Sequence, residues 1–464
     1  MNSALCMRAE GALKARAMGR LLSATMQQRA THSYLPVVII GVLFFLFGFV
    51  TWVNGPLISY LKIICELEPG AEPFYVTLAF YIAYFFTALP MARVLQRTGM
   101  KAGMTYGLFV MAVGMLLFIP AAYGRSYALF LLGLFVIGTG LSLLQTASNP
   151  YITVVGPIES AAARISVMGI CNKMAGVLAP FVVGFVLLGD AGSLQAELDT
   201  LQGDALAARL DEVAARVVRP YSVMAVALVV LGLLVRWSPL PELDPEVEQG
   251  GRGADRPSVL AYPNLVFGVI ALFFYVGVEV IAVDTIGVFA EAVGVPLEHA
   301  KLLPSYTLLA MVVCYIIGII GIPRLVSQSV ALLLSAALGV VLSVLVVLVP
   351  LSSTITLPGI DLQALSSTTM TVPASVLLLA LLGLANGLMW PAIWPLAIRG
   401  LGDHTKTASA LLIMAIAGGA ILPLAYGAMG KAAAIGPQLA YWLMVPCYAF
   451  ILWYAASGSR RTHW

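Results

Sequence analysis

The sequence predicts an all-α membrane protein with 12 transmembrane helices in two six-helix repeats. Three observations carry this. The 464 residues are 61% hydrophobic and only 10% charged, with a mean hydropathy of +0.97, whereas soluble chains are about a quarter charged. Twelve apolar windows each reach the roughly 20 residues a helix needs to cross a bilayer. A charged, Pro/Gly-rich stretch from Pro239 to Pro263 divides them six from six.

Residues 1–33 are polar and carry Arg8, Lys14, Arg16, Arg20 and Arg29 against Glu10 alone. An Arg-rich, acid-poor start imitates a targeting peptide, but no short apolar region with a cleavage site precedes the first window, and a cytoplasmic tail is expected. The windows fall near 35–61, 73–95, 102–123, 126–155, 164–188 and 218–236, then near 264–290, 300–321, 327–350, 373–399, 407–429 and 437–457. The expected organisation is a tail (1–33), an N-terminal half (34–237), a cytoplasmic linker (238–263), a C-terminal half (264–458) and a short cytoplasmic tail (459–464). Gly189 to Val217 form a polar insertion, readable as an amphipathic helix through Leu201, Leu206, Leu210 and Val213. With both termini inside, about 17 of the 25 basic residues fall on the cytoplasmic side, as the positive-inside rule requires.

Several classes are excluded. A net charge of +3 does not suggest nucleic acid. Four His and five Cys show neither CxxC nor metal-ligand spacing, and there is no GxxxxGK[ST] loop. No nucleophile–base–acid arrangement is visible, so neither an enzyme nor a cofactor is expected.

The chemistry is concentrated in polar groups inside the spans. Gln145 and Asn149 in window 4 are four apart and share a helix face. Pro150 frees the carbonyl of Thr146 beside them. Such a face either glues helices together or binds a polyhydroxy ligand, and on this stretch alone the two readings are equally open. Asn54 precedes Gly55-Pro56, and Asn386-Gly387 precedes Pro391 and Pro395, so local helix breaks are expected in windows 1 and 10. Asn54 suits either a ligand hydroxyl or the freed backbone. Window 5 holds Asn172 and Lys173, and window 7 holds Glu279 and Asp284. A lysine at helix centre costs about 2.5–3.5 kcal/mol unless paired or hydrated. Lys173 is therefore expected to pair with Glu279 or Asp284 across the halves, statically or in one access state only. Glu279 and Asp284 lie about 140° apart on an ideal helix, so an unbroken face cannot present both. Of the aromatics Tyr81, Tyr84, Phe85, Tyr275, Trp390 and Trp394, most read as packing or interfacial belt. Trp390 is the candidate for stacking on a sugar, because it falls opposite Gln145 when the repeats are aligned through Pro150 and Pro395.

The halves echo each other: Phe44-Phe45-Leu46-Phe47-Gly48 answers Phe273-Phe274-Tyr275-Val276-Gly277, and Asn149-Pro150 answers Trp394-Pro395. Two six-span repeats point to the major facilitator fold, with a substrate site at the midplane between them. The stretches Phe44 to Gly55 and Leu144 to Tyr151, with Gly156-Pro157, Arg164, Leu401-Gly402, Thr405-Lys406, Gly418-Gly419 and Pro423, resemble the fucose permease branch of sugar facilitators. Arg164 to Gly169 with Asn172-Lys173, and Val278 to Thr285, look most similar to its N-acetylglucosamine and glucose/galactose transporters. Proton-coupled fucose permeases carry an aspartate in span 1 and a glutamate in span 4, but the matching positions here are Gly55 and Gln145. Arg97 and Lys101, around a tight Gly turn, resemble the facilitator loop that latches the halves, though positive-inside anchoring accounts for them equally well.

The resemblance implies a secondary active transporter in a bacterial inner membrane, importing a neutral monosaccharide (N-acetylglucosamine, glucose or galactose) by cation-coupled alternating access. Its partners would be a small neutral sugar and membrane lipid, with a monomer expected. The substrate candidates are Asn54, Gln145, Asn149, Asn172, Asn386 and Trp390. The coupling candidates are Glu279, Asp284 and Lys173, with sodium or a proton as the ion and Glu279 or Asp284 as the place for sodium. An uncoupled uniporter, or a non-transporting sugar sensor on a transporter fold, is the alternative.

Overall fold

The computed structural model describes residues 35–68, 70–154, 161–188, 191–240, 258–322, 326–361, 366–401, 404–461 and 464. The tail 1–33, the linker between 241 and 257, Gly156-Pro157 and Gly402 lie outside the described residues.

Among the described residues twelve helices are long and apolar enough to cross a membrane: Leu35–Ile64, Glu72–Thr98, Met100–Tyr123, Tyr127–Asn149, Arg164–Leu188, Gly203–Trp237, Pro263–Asp284, Leu297–Gly321, Gln328–Leu348, Ala374–Ala397, Thr407–Lys431 and Gly436–Arg460. We number them spans 1 to 12. Helices of this length satisfy every internal backbone group within one segment, which lipid demands. Apolar side chains such as Phe86, Val226, Leu234, Ile317 and Ile320 stand exposed on the outer surface. They face a medium as apolar as themselves and need no further partner. An even number of crossings brings both ends of the bundle to one face, here called the termini face.

Helix packing repeats between the halves. Span 1 packs on span 5 and span 7 on span 11; spans 2 and 4 match spans 8 and 10; spans 3 and 6 match spans 9 and 12. The repeated Phe-Phe-x-x-Gly sequence has a structural reason. A Cβ on Gly48 would sit 2.3 Å from the backbone oxygen of Asn172, and one on Gly277 would sit 2.1 Å from the Leu422 side chain. Both glycines therefore permit the close crossing of an equivalent helix pair. The halves meet through spans 2 with 11 and 5 with 8, which the repeat also makes equivalent.

Breaks fall where the sequence places them and also elsewhere: in span 11 a 3-10 turn, Ala415–Ala417, separates Thr405–Met414 from Gly418–Lys431. Span 1 divides into Leu35–Trp52 and Asn54–Ile64, and span 10 into Ala374–Asn386 and Met389–Ala397. Span 7 also breaks, at Thr285, and continues as Ile286–Ala292.

The insertion that follows span 5 forms two helices, Ala191–Leu198 and Gly203–Ala215, the second being the first part of span 6. The second buries Leu210 and Val213. The Tyr60 hydroxyl of span 1 donates to the carbonyls of Val213 and Ala214 at 2.8 and 2.9 Å, which fixes the insertion to the bundle.

One element departs from an all-helical chain. Strands β1 (Thr354–Asp361) and β2 (Ser366–Pro373) pair antiparallel between spans 9 and 10, in the register Thr354↔Pro373 to Asp361↔Ser366. Their Thr-rich sequence suits strands, and they lie beyond the ends of both spans.

Candidate functional site

A cavity of about 1050 Å³, counting the part open to solvent, lies between the halves and is lined by residues of both. Its wall reaches Ile152, Ile165, Trp394 and Pro395, where spans 4, 5 and 10 approach the termini face. The opposite end is bolted shut by contacts between the halves. Ser59 donates to Glu291 at 2.8 Å and Lys62 pairs with the same carboxylate at 3.3 Å. Lys431 pairs with Glu68 at 3.0 Å, Ser305 donates to the Val177 carbonyl at 2.8 Å, and Lys301 donates to the Leu188 carbonyl.

At the centre, Lys173 of span 5 meets Glu279 of span 7 at 2.7 Å, each side chain 7% exposed. The same Glu279 oxygen accepts the Tyr275 hydroxyl at 2.8 Å from one turn earlier. The Lys173 ammonium also sits 4.0 Å from the centroid of the Trp52 ring. Two opposed charges, a hydroxyl donor and an aromatic face thus neutralise one another, so the cavity presents no net charge to a ligand.

The two sides of the cavity differ in chemistry. From the N-terminal half come three amides. Gln145 Nε2 donates to the Tyr84 hydroxyl at 3.0 Å. Asn172 Oδ1 accepts from Trp52 Nε1 at 3.2 Å. Asn149 lines the cavity with an Nδ2 that has no partner among the described residues. Rings come from both halves, but the C-terminal one brings a stacked pair of indoles: Trp390 and Trp394 lie 5.5 Å apart with an interplanar angle of 28°, and Tyr275 lies 6.4 Å from Trp390. Proline at 391 and 395 shapes the short segment that carries both indoles.

Of the residues singled out in the sequence, Gln145, Asn149, Asn172, Lys173, Glu279 and Trp390 are brought together on the cavity wall. Asn54 and Asn386 are not. Asn386 is fully buried and accepts the Tyr448 hydroxyl at 2.8 Å. Asn54 is fully buried at the span 1 break. Each sits at the kink that its Gly and Pro neighbours create, and the kink turns it into the helix packing rather than into the cavity. Asp284 is also absent from the lining: it is 1% exposed at the end of the segment Pro263–Asp284, one turn beyond Val280 of the wall. Around the turn at Gly99, Lys101 Nζ donates to the Ser238 carbonyl at 2.6 Å, just past the end of span 6. Arg97 is exposed.

Sequence reasoning missed part of the site. Tyr81, Tyr84 and Tyr275, expected as packing or belt, line the cavity, as do Trp52 and Tyr315; Phe85 is exposed on the outer surface. Tyr275 had a legible sign in its four-residue spacing from Glu279.

Comparison with known proteins agrees with this architecture. The profile of the Major Facilitator Superfamily matches residues 40–423. A glucose/galactose transporter of Brucella abortus biovar 1 (strain 9-941) is 34% identical over 420 residues, covering 90% of this chain and 93% of that protein. An L-fucose-proton symporter of Escherichia coli (strain K12) is 27% identical over 436 residues, covering 93% and 94%. Among solved structures, the facilitator FucP in its outward conformation aligns with a TM-score of 0.67 at 24% identity, over 92% of this chain and 99% of that one.

Proposed function

Because the chain belongs to the Major Facilitator Superfamily, a twelve-span transporter family rather than an enzyme family, we propose that it imports a neutral monosaccharide across the bacterial inner membrane by cation-coupled alternating access. The observation that carries the substrate class is the pairing of an amide wall with an indole wall around a neutralised charge pair. A pyranose has hydroxyls at its rim for the amides and C–H faces for the rings, and it brings no charge for Lys173 or Glu279 to answer. Glucose, galactose and N-acetylglucosamine are the candidates, and the names of the relatives support the first two. The excess of basic residues on the termini face supports cytoplasmic termini. With that orientation the structure is the inward-facing form, its outer end closed by Glu291, Glu68 and Lys301.

Proteoliposomes holding the purified protein test this with labelled glucose, galactose and N-acetylglucosamine under a sodium gradient, a proton gradient or neither. Accumulation under one gradient is expected. Equilibration insensitive to both would make the protein a uniporter, and no flux of any of these sugars would remove the substrate class.

Trp390→Ala is expected to raise the KM for the transported sugar about 10-fold, since an aromatic contact contributes about 0.5–1.5 kcal/mol beyond the area it buries. Maximal rate should change little. Concentration series on the same vesicles read this, and an unchanged KM would take Trp390 out of the binding wall.

A further inference from the structure

Behind the cavity lies a second set of polar groups. Val276, Val280 and Asp284 recur every four residues and share a face of span 7. The two valines line the cavity, and Asp284 sits one turn deeper, toward the closed end. Its side chain is 1% exposed, and neither carboxyl oxygen has a hydrogen-bond partner among the described residues. Span 1 approaches it through Gly55, where a Cβ would stand 3.7 Å from Asp284 Oδ1 and 3.2 Å from the Pro304 ring of span 8. Asn54, adjacent to that glycine, is 0% exposed with both amide atoms unpartnered. Tyr81 of span 2 lines the cavity close to Asp284, and its hydroxyl too has no partner among the described residues.

These groups do not balance a charge. The titratable groups that face Asp284 are Tyr81 and, on its own span, Glu279, which is committed to Lys173. Span 1 contributes Asn54 and Gly55 and span 8 contributes Pro304, none of which titrates. Span 12 contributes Tyr441, which is bonded to neighbouring Thr285 at 2.8 Å. A bare carboxylate here would be buried with neither donor nor counter-charge, which a protein interior does not sustain. Hard cations are held by several oxygens at once, whereas the residue through which span 1 approaches Oδ1 is a glycine with no side-chain oxygen to offer.

We propose that Asp284 is the proton-binding site of the transport cycle, and that the outer end closes only over its neutral acid form. The inference rests on the coupled-transport reading above and narrows it to one ion and one residue. In the outward-open form water reaches Asp284, and a carboxylate oxygen takes a proton from it. Closure, bolted by Glu291 to Ser59 and Lys62, then strips that water away. Displacement of Tyr81, which lines the inner cavity close to the acid, admits cytoplasmic water. That water takes the proton and solvates the carboxylate until the outer end reopens.

Two measurements test this. In proteoliposomes with labelled galactose and glucose, the wild type should accumulate sugar under an inward proton gradient and not under sodium alone. Asp284→Asn, a neutral acid mimic, should lose accumulation and the dependence on pH. Counterflow, which needs no net proton movement, should persist at a reduced rate. Asp284→Glu should regain part of the accumulation. Accumulation by Asp284→Asn, accumulation driven by sodium in the wild type, or loss of counterflow in folded Asn and Glu variants alike would each overturn the proposal.

The second measurement needs no sugar. A pH step on the reconstituted protein, followed by infrared difference spectroscopy, should show a carboxylic-acid C=O band that vanishes in Asp284→Asn and shifts in Asp284→Glu. Absence of that band in the wild type overturns the site whatever is transported. Its presence in a protein that moves none of these sugars upholds the site and removes the sugar reading alone.

Discussion

Replacing Lys173 with methionine is expected to slow sugar counterflow about 100-fold, and adding Glu279→Gln is expected to recover most of that loss. Removing one partner of a buried ion pair leaves the other uncompensated and costs about 3–5 kcal/mol, whereas replacing both is often close to neutral. Lys173 and Glu279 are 2.7 Å apart on opposite halves, so the cost falls on the form in which the halves meet around the cavity. That form becomes rare, and every cycle passes through it. The Trp52 ring 4.0 Å from the ammonium loses its partner as well. Methionine keeps the length of the side chain, which separates loss of charge from loss of packing. Counterflow in the single and double variants, with thermal unfolding in detergent as a check on folding, gives the comparison. A single variant that exchanges sugar like the wild type would mean the pair is not held through the cycle.

The second large effect is on stability. Gly418→Ala should destabilise the protein by about 3 kcal/mol, at the upper end of what overpacking usually costs. The added methyl would lie 1.8 Å from the backbone oxygen of Phe273, which cannot rotate away, so spans 7 and 11 would have to separate. Gly321→Ala is the control: a Cβ there meets nothing within 4 Å among the described residues, and the change should stay within about 0.5 kcal/mol. Unfolding midpoints of both variants in the same detergent decide it, and equal midpoints would mean that the 7–11 crossing relaxes freely.

Much of this fold was legible because lipid imposes one rule on every span. Apolar windows placed all twelve helices, and Gly-Pro and Asn-Gly pairs placed the breaks in spans 1 and 10. The break at Thr285 carries neither signal. It lies where span 7 passes from the buried acid to the outer bolt at Glu291. The hairpin of β1 and β2 was passed over because its alternating threonines lie next to an apolar run that dominates any wide window.

The site was half legible. Charge cost alone predicted a partner for Lys173, because a lone ammonium at helix centre is too expensive to leave unpaired. Choosing between Glu279 and Asp284 needed the rotation of span 7, and the 140° between them left that choice open. Asn54 and Asn386 were read as ligand groups because they are polar and sit near breaks. Periodicity gives a face but not the direction a kink turns it, and in both spans the kink points the amide into protein. The tyrosines of the wall look like belt residues in sequence, because ring chemistry is the same at either depth.

The central ion pair also has an electrical consequence. A mobile elementary charge crossing the whole membrane field exchanges about 2.3 kcal/mol per 100 mV. Lys173 and Glu279 carry opposite charges at nearly the same depth, so the voltage pulls on them with opposing forces and does almost no net work on the pair as the halves rock. Any voltage dependence of transport is therefore expected to come from a charge other than this pair.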